Sequence, residues 1–142
     1  MRNFVTEEYR SRIALALQTT ASAAQGYLLP TAGSSVAVLR CLVTMGNAAD
    51  LAISVKYAND ATGTSAADIA TDVKIYKNGV RQTDAKLFTV DDDTGNFIVD
   101  FIIDPKQIPD GKFIGVSYAN SNAANLMGCE LIESVAYKPT AS

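Results

Sequence analysis

A chain of 142 residues with 48% apolar and 19% charged side chains is long enough for one domain with its own core, and too apolar to stay disordered. Its formal net charge of −3 argues against sequence-independent nucleic-acid binding, which depends on Lys and Arg neutralising phosphate. The sequence has no histidine, which removes the commonest general base, the commonest zinc ligand and any Ser-His or Cys-His nucleophile.

The chain opens with Val5, Tyr9, Ile13 and Leu17 at a four-residue spacing, separated by Arg and Glu. That spacing predicts a short amphipathic helix, N-capped by Thr6 with Glu7 and Glu8 at the positive end of its dipole. The apolar core IALAL is too short for an export signal, and no run approaches the length of a membrane span. From Thr19 to Ser35 the small residues with Gly26, Pro30 and Gly33 read as a linker, in which Tyr27, Leu28 and Leu29 form an apolar anchor. Residues 1–34 are therefore expected to be an N-terminal arm, helical then extended, ahead of a β domain over 35–142.

Strand patterns begin at Ser35. The nearly continuous apolar run to Thr44 suits a strand covered on both faces. After a turn at Met45-Gly46-Asn47, Leu51, Ile53, Val55 and Tyr57 alternate with smaller or polar residues, and the two strands are expected to pair as a hairpin. A polar loop, Asn59–Ala67, follows, and 66–71 has room for one helical turn. Val73, Ile75 and Val80 are expected to face one way around the Asn78-Gly79 turn, a pair suited to the two positive φ angles of type I′. Leu87–Val90 leads through Asp93-Thr94-Gly95-Asn96 into a strand with Phe97, Val99, Phe101 and Ile103 on one face and Ile98, Asp100 and Ile102 on the other. These two segments are expected to form a second hairpin, so that 71–104 makes the central hairpins of the domain. Asp104–Gly111 is a rigid connection with two prolines, and Lys112–Ala119 is a strand in which Gly115 permits a close approach or a bulge. A second Asn-rich loop, 120–125, precedes a last strand over 126–137. Seven or eight strands at even spacing indicate an all-β fold, an antiparallel β-sandwich of jelly-roll or immunoglobulin type.

Few residue groups invite a chemical reading. Asp91-Asp92-Asp93-Thr94-Gly95-Asn96 is the one acidic cluster, but it fails the EF-hand spacing and reads as a solvated turn; a looser calcium site at 91–95 is the alternative. Asp100, Asp104, Glu130 and Glu133 lie on or beside strands, where outer-face acids are commoner than a glycosidase pair. Tyr57, Tyr76 and Tyr118 sit near loop starts, either as strand-end side chains with one wet edge or as the lining of a ligand surface. Cys41 and Cys129 occupy apolar strand contexts and read as reduced core residues of a protein made in a reducing cytosol. No phosphate-binding or nucleophile-elbow string occurs, so no catalytic, cofactor or metal residues are assigned and an enzyme is not expected.

The runs VKIYKNGVR (73–81), GNFIVDF (95–101) and IPDGKFIGVSYA (108–119), with the NDATGT loop at 59–64, resemble small structural proteins of tailed-bacteriophage virions, in particular those that decorate or cement the capsid. The resemblance implies a non-enzymatic sandwich on the capsid exterior, made in the host cytoplasm. It implies the major capsid protein as partner, homo-oligomers (trimer or dimer), and neither nucleic acid nor membrane as ligand. The alternatives are a carbohydrate- or host-surface-binding module, with the loops at 59–64 and 120–125 as the site at one end of the sandwich, and a tail or neck component of the same virion.

Overall fold

The computed structural model describes residues 9–91 and 94–134, which form two antiparallel sheets packed face to face. The strands are β1 (Tyr9–Thr19), β2 (Ala24–Leu28), β3 (Ala37–Met45), β4 (Leu51–Ala58), β5 (Ala67–Asp68), β6 (Lys74–Lys77), β7 (Val80–Arg81), β8 (Leu87–Val90), β9 (Gly95–Ile103), β10 (Phe113–Tyr118) and β11 (Leu126–Ser134). One sheet has the order β1-β11-β3-β9-β6-β7, and the other has β2-β10-β4-β5, with β8 also pairing with β4.

Leaving aside β5 and the small β6–β7 hairpin, the pairs are β1 with β11, β2 with β10, β3 with β9 and β4 with β8. First strand pairs with last, second with next to last, and so inward. This nested ribbon, wound into two sheets, is the jelly roll, and the β-sandwich expected from the sequence is present.

Alternation decides which side chains enter the core. Leu39, Cys41 and Val43 of β3, Val99 and Phe101 of β9, and Cys129 and Leu131 of β11 point in from the larger sheet; Ile53, Val55, Ile114 and Val116 meet them from the smaller one. Each such burial contributes roughly 1.5–3 kcal/mol for the larger aliphatic and aromatic side chains.

Four local expectations are overturned. Residues 9–19 form the edge strand β1, not a helix, and 24–28 form β2, so this part of the expected arm and linker belongs to the sandwich. A spacing of four puts residues on one face of a strand as well as of a helix, and the open edge of β11 supplies the pairing that decides between them. Val5, Thr6, Glu7 and Glu8 lie outside the described residues. Secondly, β3 and β4 do not pair, and neither do β8 and β9, because each pair has one strand in each sheet. Their turn residues reverse the chain across the sandwich rather than within a sheet. Thirdly, β3 is covered on one face only, since Leu42 is exposed on the other. Lastly, 66–71 holds the two-residue strand β5 rather than a helical turn, and Val80 points to solvent while Val73 and Ile75 are buried.

Other readings hold locally. Asn78 and Gly79 adopt φ of 49° and 81° between β6 and β7, as a type I′ turn requires. At Gly115 a Cβ would sit 1.9 Å from the Gly26 carbonyl oxygen and 2.7 Å from the Tyr27 ring, so the close approach is real. Asp104 and Gln107 form a capping box around the 3-10 turn Pro105–Gln107. Asp92, Asp93 and the end of the expected last strand beyond Ser134 lie outside the described residues.

Candidate docking surface

The register of the larger sheet fixes what its outer face presents. In one row across the strands Glu130 lies beside Arg40, Arg40 beside Asp100 and Asp100 beside Tyr76, with Ile13 of β1 next to Glu130. One step along the strands, Gly128 lies beside Leu42 and Leu42 beside Ile98, and Leu17 of β1 packs against Gly128. On the other side of the charged row, Ile132, Val38 and Ile102 form a third row.

The exposure of Ile13 (71%), Leu17 (66%), Leu42 (49%) and Ile98 (39%) is therefore contiguous, not scattered. Irregular pairing of β1 with β11 on either side of Leu15 turns Leu15 into the core and leaves Ile13 and Leu17 outside. Between these side chains lies a groove of about 550 Å³, which the polar residues Thr44, Asn78, Asn96 and Glu130 also line, and on its β1 side the Leu17 backbone closes over Gly128. Single exposed apolar residues are ordinary, whereas a contiguous apolar patch with a polar rim is the usual mark of a surface that another molecule covers.

The charged row is internally paired. Arg40 donates from Nε and Nη2 to the two carboxylate oxygens of Asp100 at 2.8 and 3.2 Å, and this hydrogen bonding, the leading cause, raises the guanidinium pKa. Glu130 accepts from Ser11 Oγ at 2.8 Å.

The four carboxylates singled out in the sequence are not brought together as an acid pair. Asp100 and Glu130 flank Arg40, Asp104 accepts from Lys106 N in the capping box, and Glu133 points inward, with its side chain fully buried, to Arg12 and Thr31. Of the acidic turn, Asp91 and residues 94–96 are described, and Asp92 and Asp93 are not. Among the described residues no group of three or more His, Cys, Asp or Glu side chains is arranged to hold a metal.

The tyrosines do not line one surface. Tyr118 is buried, Tyr57 packs on the core from the smaller sheet, and Tyr76 lies on the outer face of the larger sheet with Arg81 5.5 Å over its ring. The Asn-rich loops are at opposite ends of the sandwich, which removes the single-end glycan site expected above. Ala58, just before 59–64, pairs with the first residue of β10, and 120–125 follows its last. In the first loop Asp60 accepts from Thr62, Gly63 and Thr64; in the second, Asn125 is buried between Asn47 and Ala49.

Cys41 and Cys129 are both free and directly opposite each other on β3 and β11, buried in the core. Burial foremost, and hydrogen bonding to Cys129, push the Cys41 thiol well above its ordinary pKa, which keeps it protonated and unreactive.

No family model, curated protein or solved structure matches this chain. This open apolar face was not legible in the sequence because Leu42, Ile98 and Gly128 become neighbours only through the register of three strands.

Proposed function

We propose that this protein is a non-enzymatic structural component of a tailed-bacteriophage virion, seated on the exterior of the capsid against the major capsid protein and reinforcing the lattice. The observation that carries the proposal is the contiguous apolar stripe of Ile13, Leu17, Leu42 and Ile98 on an open sheet face. A part that binds the assembled lattice but not loose subunits stabilises the lattice by mass action. The jelly roll is compatible with this role but does not select it, because viral capsid and lectin domains both use it.

Removing residues 1–34 would delete β1 and β2 and so test folding rather than attachment. Point substitution on the open face is the sharper experiment. Purified protein is added to particles from the producing host that lack it, and the pellet is assayed after sedimentation. Native protein is expected to co-sediment in saturable amounts, and Leu42→Glu to lose most of that binding while melting at the native temperature. A native protein that stays in the supernatant would sink the reading.

A further inference from the structure

Cys41 of β3 and Cys129 of β11 stand in a relationship that core packing alone does not require. The register of these strands runs unbroken from Ala37 beside Glu133 to Thr44 beside Leu126, and it sets Cys41 directly opposite Cys129. Five residues further along each strand, Ser134 N donates to Val36 O, so that pair is a hydrogen-bonded one. Hydrogen-bonded and non-hydrogen-bonded pairs alternate along an antiparallel ladder, and an odd step makes the two cysteines a non-hydrogen-bonded pair. Pairs of that kind bring their Cα atoms to about 4.5 Å, within the range of about 4.4–6.8 Å that a disulfide spans, and hold their side chains closer than the other kind. Both side chains lie on the inner face, both thiols are free, and they are within hydrogen-bonding reach of each other.

The pair is shut in, but thinly on one side. Cys41 is fully buried, with β11 on one flank of its strand and β9 on the other. Cys129 keeps 3% exposure, and within the sheet only the edge strand β1 lies between it and the open side. Leu15 is the β1 residue opposite Cys129, and the pairing is irregular on both sides of it, so the hold of β1 is interrupted at that point. The groove on the outer face reaches Leu15 and Cys129 as well. Local opening of an edge strand costs less than global unfolding, and here it uncovers Cys129 first.

We infer that Cys41 and Cys129 form a modification site, a latent cross-strand disulfide that closes when the folded protein meets a small peroxide oxidant. Cys129 loses its proton to solvent and its thiolate attacks one oxygen of hydrogen peroxide. The O–O bond breaks, Cys129 becomes a sulfenic acid, and the other oxygen leaves as hydroxide and is protonated to water. Cys41 then gives up its proton and attacks Cys129 Sγ; the S–S bond forms, the S–O bond breaks, and the departing hydroxide takes that proton as a second water. Two thiols are thus oxidised by two electrons while one peroxide is reduced to two waters. While β1 is in place, burial keeps the Cys41 thiol protonated and unreactive, so the pair stays open where peroxide is scarce. Once closed, the bond ties the strand that carries Arg40 and Leu42 to the strand that carries Glu130 and Gly128, and so fixes the register of the open face.

The test is to treat the folded protein with excess hydrogen peroxide in neutral buffer without denaturant, remove the peroxide with catalase, and count thiols after unfolding in urea. Both thiols are expected to be lost, with the circular dichroism of the native fold retained and the chain still monomeric on a non-reducing gel. Proteolytic fragments holding Cys41 and Cys129 are expected to stay joined until a reducing agent is added. Cys41→Ala, which removes the attacking thiol, is expected to leave Cys129 as a sulfenic acid that dimedone labels, while native protein is labelled far less. Should that variant not fold, the fragments of the native protein decide alone. Native protein that keeps both thiols overturns the inference, and so does loss of thiols without joined fragments or a disulfide that links separate chains. No particle enters the experiment, so its outcome is independent of the virion reading.

Discussion

Arg12 Nη2 lies 2.6 Å from Glu133 Oε1, joining the first strand to the last at a point where the Glu133 side chain is fully buried. The same carboxylate accepts from Thr31 N at 2.5 Å and from Thr31 Oγ1 at 3.1 Å, and Arg10 stands 3.8 Å away. One carboxylate thus fixes β1, β11 and the segment after β2. Glu133→Gln is expected to destabilise the fold by about 1–3 kcal/mol, because a partly exposed Arg12 keeps some hydration while Thr31 loses a charged acceptor. Arg12 is the less clean target, since its buried Nε has no hydrogen-bond partner and removing it relieves one cost while creating another. Urea denaturation checks this: an unchanged midpoint in Glu133→Gln would show that the pairing contributes nothing net.

Gly26 closes the side of the sandwich where β2 approaches β1. A Cβ there would lie 2.1 Å from the Ala14 carbonyl oxygen and 3.1 Å from Leu15 Cα, both backbone atoms that no rotamer change can move aside. Gly26→Ala is therefore expected to cost at least about 1–3 kcal/mol by forcing the two edge strands apart. Gly33→Ala, where nothing lies within 4 Å of the added Cβ, is the control, and its cost comes only from its φ of 80°. Thermal melts that rank the two variants the other way would mean that β1 and β2 shift apart at little cost.

The inner faces of the sandwich are legible in the sequence because alternation is local. Leu51, Ile53 and Val55 announce their burial within one strand, as do Val99, Phe101 and Ile103. The Asn78-Gly79 turn is equally local. What alternation cannot supply is the partner. A turn residue says that the chain reverses, not whether it reverses within a sheet or across to the other, which is why β3–β4 and β8–β9 read as hairpins. The edge strand β1 was hidden for a related reason. Tyr9, Ile13 and Leu17 share a face under either period, and their pairing partners lie at the far end of the chain. The candidate docking face needs three such registers at once, so its components were visible singly and its continuity was not.

Asp60 gives a pH-dependent prediction. Its Oδ1 accepts from Thr62 N at 3.0 Å, Gly63 N at 3.0 Å and Thr64 N at 3.1 Å, and its Oδ2 from Thr64 Oγ1 at 2.5 Å. The Thr64 side-chain hydrogen bond is the largest cause, followed by backbone and side-chain donors of the same loop, and together they hold the carboxyl well below the ordinary carboxylate range. A depressed folded-state pKa stabilises the folded loop above the unfolded value near ~3.9, and the contribution is lost as pH falls towards the folded value. The loop at 59–64 is thus expected to keep its hydrogen bonds through mild acid, and Asp60 to titrate below the ordinary carboxylate range. Carbon-detected NMR titration of the Asp side chains reads this directly. An Asp60 that titrates in the ordinary carboxylate range would show that the loop donors do not hold the ionised form. Asp60→Asn, which keeps an acceptor but not the charge, is expected to leave the native melting temperature near that of the native protein at low pH and to lower it slightly at neutral pH.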